Sequence, residues 1–209
     1  MIPKPFVTLV CGFGRCGSSL VMQMLDAGGI PGTGAYPAFE AHEALAVLAG
    51  DTLDAAWIAA QVGRAVKVLD PQRGRLPSGI PYRAIWMARD QRQQAASQAK
   101  MMRAVFGVPV SRAEVRAFVR SYKADRRLAH SALRDAGVRQ LMTMTFEDVL
   151  RAPTDAATAI DDYLEGGLDT RAMAAVVVPR GPECLPDMGL ELRLIRSAST
   201  GGSDDLHVR

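Results

Sequence analysis

The stretch VTLVCGFGRCGSSLVMQML, residues 7–25, constrains the chain more than any other. An apolar, β-branched run from Phe6 to Cys11 is broken by glycines at 12, 14 and 17. It resumes from Ser18 to Ala27 with Leu20, Val21, Met24 and Leu25 at helical spacing, so it reads as strand, loop, helix. Glycines between a first strand and a helix answer a close backbone approach, and N–H groups at a helix start attract anions. Gly12 and Gly17 have the spacing of G-x-x-x-x-G-K-[ST], but Ser18 stands where the lysine of a nucleoside-triphosphate loop would be. The cation has moved inside the loop, as Arg15, and Ser18 and Ser19 place two hydroxyls at the helix head. Such a site suits one terminal phosphate with an arginine beside the bond to be broken.

Further strands are expected at 66–69, 83–88 and 140–144, alternating with helices. Two alanine-rich helices are expected within 39–50 and 51–63, the second capped by Asp51. A helix is expected from Asp90 to Met102, and a long one headed by the Ser111/Glu114 capping box and stopped at Gly137. Two more are expected at 146–152 and 155–164. The alternation implies βαβ units, hence an α/β, three-layer P-loop fold with a mostly parallel sheet between helices. Residues 1–196 read as a single domain, and the polar tail 197–209 as disordered.

IWMARDQRQQAASQ places Arg89 at a strand end and Ser97 eight positions later in the following helix. Together with GFGRCGSSLVMQMLDA, this resembles the sulfotransferases that use 3′-phosphoadenosine 5′-phosphosulfate (PAPS). It resembles especially the branch with an arginine in the loop, which includes bacterial and protein-tyrosine sulfotransferases. The resemblance implies that Gly14, Arg15, Cys16, Gly17, Ser18 and Ser19 hold the 5′-phosphosulfate and that Arg89 and Ser97 hold the 3′-phosphate. Arginine suits a phosphate dianion because its fork binds two oxygens. LMTMTFEDVLRAP resembles the family's following strand and helix, which makes Phe146 either an adenine-stacking residue or a core residue. VVVPRGPE offers Arg180 and Gly181 as a returning basic loop. The resemblance covers about residues 6–165.

It further implies sulfuryl transfer to a hydroxyl or amine without a required metal, adenosine 3′,5′-bisphosphate being the product. Arg15 is the candidate for charge on the departing oxygen. VKVLD aligns Lys67 with a family lysine but puts Leu69 where the cytosolic enzymes have a histidine base. In the arginine-loop branch the base is a glutamate after the first helix, and AYPAFEAHE offers Glu40 first and Glu43 second, with His42 between them; both glutamates also suit a helix start.

Two rival classes stay open. Asp70, after the 66–69 strand, mimics a magnesium-binding aspartate and would suit a P-loop nucleotide kinase or other phosphotransferase. The chain could also be a nucleotide-binding module without catalysis. Cys16, in a cationic loop at a helix head, could be a reactive thiolate.

Net charge divides sharply, at 0 for residues 1–82, +9 for 83–139 and −6 for 140–209. Arg116, Arg120, Lys123 and Arg127 recur at helical spacing, a solvated face or one for an acidic glycan or peptide. With 6% aromatic residues no nucleic-acid partner is expected. Three scattered cysteines suggest neither disulfides nor zinc, and no run approaches a membrane span, so a cytoplasmic protein is expected. The acceptor, whether small molecule, glycan or peptide, and the oligomeric state are left open.

Overall fold

The computed structural model describes residues 4–178. Its strands are β1 (Val7–Gly12), β2 (Ala65–Leu69), β3 (Tyr82–Ala88) and β4 (Leu141–Thr145). Its helices are α1 (Ser18–Ala27), α2 (Leu45–Ala49), α3 (Ala55–Ala59), α4 (Gln91–Phe106), α5 (Arg112–Asp135), α6 (Phe146–Arg151), α7 (Pro153–Tyr163) and α8 (Thr170–Ala175). The four strands pair only in parallel, in the order β2-β1-β3-β4. The fold is therefore α/β, as expected from the alternation.

The sheet is covered on both faces, which is why β1 is buried from end to end. On one face Val10, Ile85 and Met144 pack with Leu20, Met24, Ile160 and Met173 of α1, α7 and α8. On the other, Leu9, Cys11 and Trp86 pack with Val47, Ile58, Ala95, Tyr122 and Leu133 of α2 to α5. These faces make three layers.

The chain passes from β1 to β2 on one side and then returns to place β3 on the other side of β1. Loops leaving the ends of β1 and β3 therefore diverge, opening the crevice in which α/β proteins bind ligands. Arg15 follows β1 and Arg89 follows β3, so the two sequence motifs flank that crevice.

Two local expectations are corrected. The helix expected within 39–50 is confined to Leu45–Ala49; residues 33–44 are fastened by side chains instead. Lys67 donates to the Ala38 carbonyl and Gln23 Nε2 to the Pro37 carbonyl at 2.9 Å, and the Tyr36–Pro37 peptide is cis. The second helix is also short and is capped by Asp54, whose Oδ1 accepts from Trp57 N at 2.6 Å, rather than by Asp51. The Ser111/Glu114 capping box forms, and Asp90 caps α4 through Arg92 and Gln93 N–H.

Candidate functional site

The loop between β1 and α1 is anchored from below. Phe13 lies between Trp86, edge-on at 5.3 Å, and Tyr122, stacked at 5.5 Å. Gly17, the residue before α1, has φ 97°, and a Cβ there would sit 2.4 Å from the Phe146 ring. Only glycine meets both conditions. Phe146 itself is 5% exposed, and the Arg89 guanidinium lies 4.6 Å from its ring centroid. Phe146 belongs to the core packing on this face of the sheet, with one ring face against a cation.

The loop and the strand end after β3 are joined directly. Arg15 Nε donates to Ser97 Oγ at 3.2 Å, its Nη1 lies 3.9 Å from Met101 Sδ, and Arg89 Nη1 donates to the Arg15 carbonyl at 3.3 Å. Ser97 is fully buried and Arg89 nearly so. Thus Arg15, Arg89 and Ser97, read from separate motifs, form one polar cluster. In it Arg15 is turned toward α4, so its guanidinium stands with the pair assigned to the outer phosphate.

A different cation reaches the head of α1. Lys67, on β2, donates to Ser19 Oγ at 3.2 Å and to Glu40 Oε1 at 3.0 Å. Its side chain is 3% exposed, against 49% for Glu40. Burial pulls the ammonium below the usual lysine range, the Glu40 carboxylate opposes that, and the Arg15 charge adds to it. Sequence spacing could not reveal this contact, because Lys67 lies 48 residues from Ser19. Glu40 is exposed at the end of the fastened turn rather than at a helix start. Beside it lies an open hollow of about 330 Å³ lined by Thr33, Glu40, Glu43, Trp57, Gln61 and Arg64. His42 and Glu43 are exposed on its rim.

The thiolate reading of Cys16 is overturned. The side chain is fully buried, a Cβ on Gly12 would lie 2.5 Å from its Sγ, and burial raises its pKa despite Ser18 donating to the sulfur. Ser18 is accordingly turned inward and buried, leaving Ser19 as the more exposed hydroxyl. Asp70 has also taken another post. Its carboxylate accepts from the Gly14 backbone N–H and, at 3.4 Å, from Gln72 Nε2. Its pKa is raised by burial, which those hydrogen bonds and the Arg73 charge only partly offset. It steadies the loop rather than standing clear for a cation. No group of three His, Cys, Asp or Glu among the described residues has metal-binding geometry.

Sequence reasoning missed Gln94. It is 3% exposed in α4, and its Nε2 donates to the carbonyls of Phe13 at 3.2 Å and Gly14 at 2.8 Å. Glutamine is too generic for its position to have signalled this. Arg116, Arg120, Lys123 and Arg127 are all exposed on α5. No described helix is long and apolar enough to cross a membrane. Arg180, Gly181, Cys184 and the 197–209 tail lie outside the described residues.

No protein-family description matches the chain, and no curated protein sequence matches it. Among solved structures, the sulfotransferase domain from the Synechococcus PCC 7002 olefin synthase is similar over 97% of each chain, with TM-score 0.51 and 17% identity. Retinol dehydratase in complex with androsterone and the inactive cofactor PAP has TM-score 0.45 and 13% identity over 85% of this chain. A mouse sulfotransferase complexed with PAP has TM-score 0.47 and 14% identity over 83% of this chain. This chain spans 64% and 63% of the lengths of those two proteins. The end-to-end likeness to the olefin synthase domain, with its parallel sheet between helix layers, gives this chain the sulfotransferase fold.

Proposed function

We propose that the protein is a sulfotransferase that moves a sulfuryl group from PAPS to a hydroxyl or amine of its acceptor. The observation that carries this reading is the meeting of Arg15, Ser97 and Arg89 beside the loop. A second anion subsite next to a phosphate cradle suits a donor with both a 5′-phosphosulfate and a 3′-phosphate. ATP has no group for that subsite.

The residues present fit such a donor. Glycine at 17 keeps the loop seated on Phe146, where a Cβ would lie 2.4 Å from the ring, and Arg89 and Ser97 supply a fork and a hydroxyl beside it. When bound, the donor supplies the sulfuryl group and a stable bisphosphate leaving group. The chain's own part is binding, charge and proton transfer. Gly14, Gly17 and Ser19, with Arg15, Cys16 and Ser18 shaping the loop, hold the 5′ end. Arg89, Ser97 and Arg15 hold the 3′-phosphate.

Lys67, already at Ser19, stabilises negative charge on the departing bridging oxygen, and Arg15 adds to the positive field. Glu40 takes the acceptor proton while its other contact, to Lys67, fixes the carboxylate in place. Glu43 is the alternative base, on the rim of the hollow that we assign to the acceptor. No metal has a part in this scheme.

Calorimetric titration with adenosine 3′,5′-bisphosphate and with Mg-ATP tests the donor. Binding of the bisphosphate without magnesium is the expected result, and a magnesium-dependent preference for ATP overturns the reading. Transfer of labelled sulfate from PAPS to a panel of small-molecule, glycan and peptide acceptors tests the reaction.

A further inference from the structure

We propose that Gln94 is the positioning residue that holds the loop open for an anion, by keeping its carbonyl groups turned away from the cradle. The inference rests on the reading of the loop as the 5′-phosphate site and goes beyond it, because Gln94 would touch neither donor nor acceptor.

A peptide loop binds an anion only when its carbonyl oxygens are kept out of the cradle. Each peptide unit that turns over replaces a donor with a carbonyl oxygen, which repels the phosphate. Glycine-containing loops turn over readily, since the residue that permits the required backbone also permits others. Within the loop the Cys16 N–H holds the Phe13 carbonyl at 3.1 Å, and side chains from outside the loop hold that carbonyl and the next two. In this structure three consecutive carbonyls, those of Phe13, Gly14 and Arg15, each accept from a side chain of the β3–α4 region. Gln94 Nε2 takes the first two, at 3.2 and 2.8 Å, and Arg89 Nη1 takes the third, at 3.3 Å. On the opposite side of the same loop, Asp70 accepts from the Gly14 N–H.

The residue type matters. A single amide nitrogen offers two N–H groups, one for each carbonyl, and carries no charge, so it can be buried at 3% exposure without an ionic desolvation penalty. Gln94 sits in the first turn of α4, and Ser97 follows three residues later on the same helix. Its backbone N–H bonds to the carbonyl of the cap residue Asp90 at 2.8 Å. The helix that carries an outer-phosphate residue thereby also sets the conformation of the inner cradle.

The test compares binding of adenosine 3′,5′-bisphosphate with adenosine 3′-monophosphate, which lacks the 5′ group, in the full chain and in Gln94→Glu and Gln94→Met. Thermal unfolding of each variant accompanies the titrations. The expected result is a loss of roughly 10- to 100-fold in bisphosphate affinity, with the monophosphate affinity changed by less than about threefold. In Gln94→Glu, affinity relative to the parent chain at the same pH should recover as acid protonates the new carboxyl, which regains one donor. Gln94→Met should show no such recovery.

Equal loss for both ligands, or no loss, overturns the assignment while leaving the donor reading standing. Failure of the parent chain to bind the bisphosphate overturns the donor reading and this inference together. Should Gln94→Glu fail to fold, the ligand ratio in Gln94→Met alone decides.

Discussion

The two sides of the candidate site are built in opposite ways. On the proposed donor side the loop is tied to the core by Phe13 between two aromatic rings, Gly17 on Phe146, and Gln94 and Arg89 holding loop carbonyls. On the proposed acceptor side, Glu40 and Glu43 are exposed in irregular chain before α2, which Lys67, Gln23 and the buried Phe39 fasten to the rest. A site that must hold one fixed donor gains from rigidity, whereas a site facing a variable acceptor is served by an exposed segment on a rigid scaffold. The contrast predicts that changes to the donor-side packing cost folding stability, and changes to the acceptor-side carboxylates cost turnover alone.

Lys67→Met should break the contrast most visibly, because Lys67 belongs to both sides. Sulfuryl transfer should fall by about 10³-fold through loss of charge stabilisation. The unfolding midpoint should change little, because relief from burying the ammonium offsets the lost bonds to Ala38, Ser19 and Glu40. A large drop in the midpoint would make the lysine a structural prop. Next in size is Glu40→Gln, expected to lower turnover by about 10²-fold with unchanged bisphosphate affinity. A greater loss in Glu43→Gln would exchange the two roles.

On the donor side, Gly17→Ala adds a Cβ into the Phe146 ring at a φ of 97°. Urea unfolding should register a cost of about 2 kcal/mol, together with weaker bisphosphate binding.

The smallest effect is expected at Asp70. Burial raises its pKa from 3.8, so the folded protein binds that proton more tightly than the unfolded chain does. Its contribution is therefore most favourable below pH 3.8 and is lost as pH rises through the folded value. Asp70→Asn should raise the unfolding midpoint at pH 7 by about 2–4 °C, a gain that shrinks toward acid pH. A lower midpoint at pH 7 would show that the hydrogen bond from Gly14 outweighs the burial cost.

The elements of the proposed donor side were the more legible in sequence because they are local. A strand, a glycine loop and a helix start are local, and so is the eight-residue step from Arg89 to Ser97. Conformations set across the sheet were not legible. Arg15 was expected beside the bond to be broken, but the structure turns its guanidinium to Ser97. Lys67 aligned by sequence, yet its contacts to Ser19 and Glu40 depend on how β2 lies beside β1. Alanine-rich composition overstated the helices in 39–63, since helix propensity alone does not settle a segment held by side-chain bonds to its neighbours.

Residues 33–64 set out from beside the start of β2 and come back to it at the same point. Gly32 bridges Ala65, Thr33 N–H bonds to the Ala65 carbonyl at 2.8 Å, and Ala65 N–H bonds to the Pro31 carbonyl at 2.9 Å. The excursion that carries Glu40 and the hollow is thus a closed cassette whose two ends already touch. Because closure entropy grows only slowly with length, cassettes of other lengths could be grafted between Gly32 and Ala65. A graft would have to restore the buried apolar contacts of Val47, Leu53 and Ile58 and a carboxylate for Lys67. New acceptor preferences could then be installed in this scaffold without altering a single residue of its donor half.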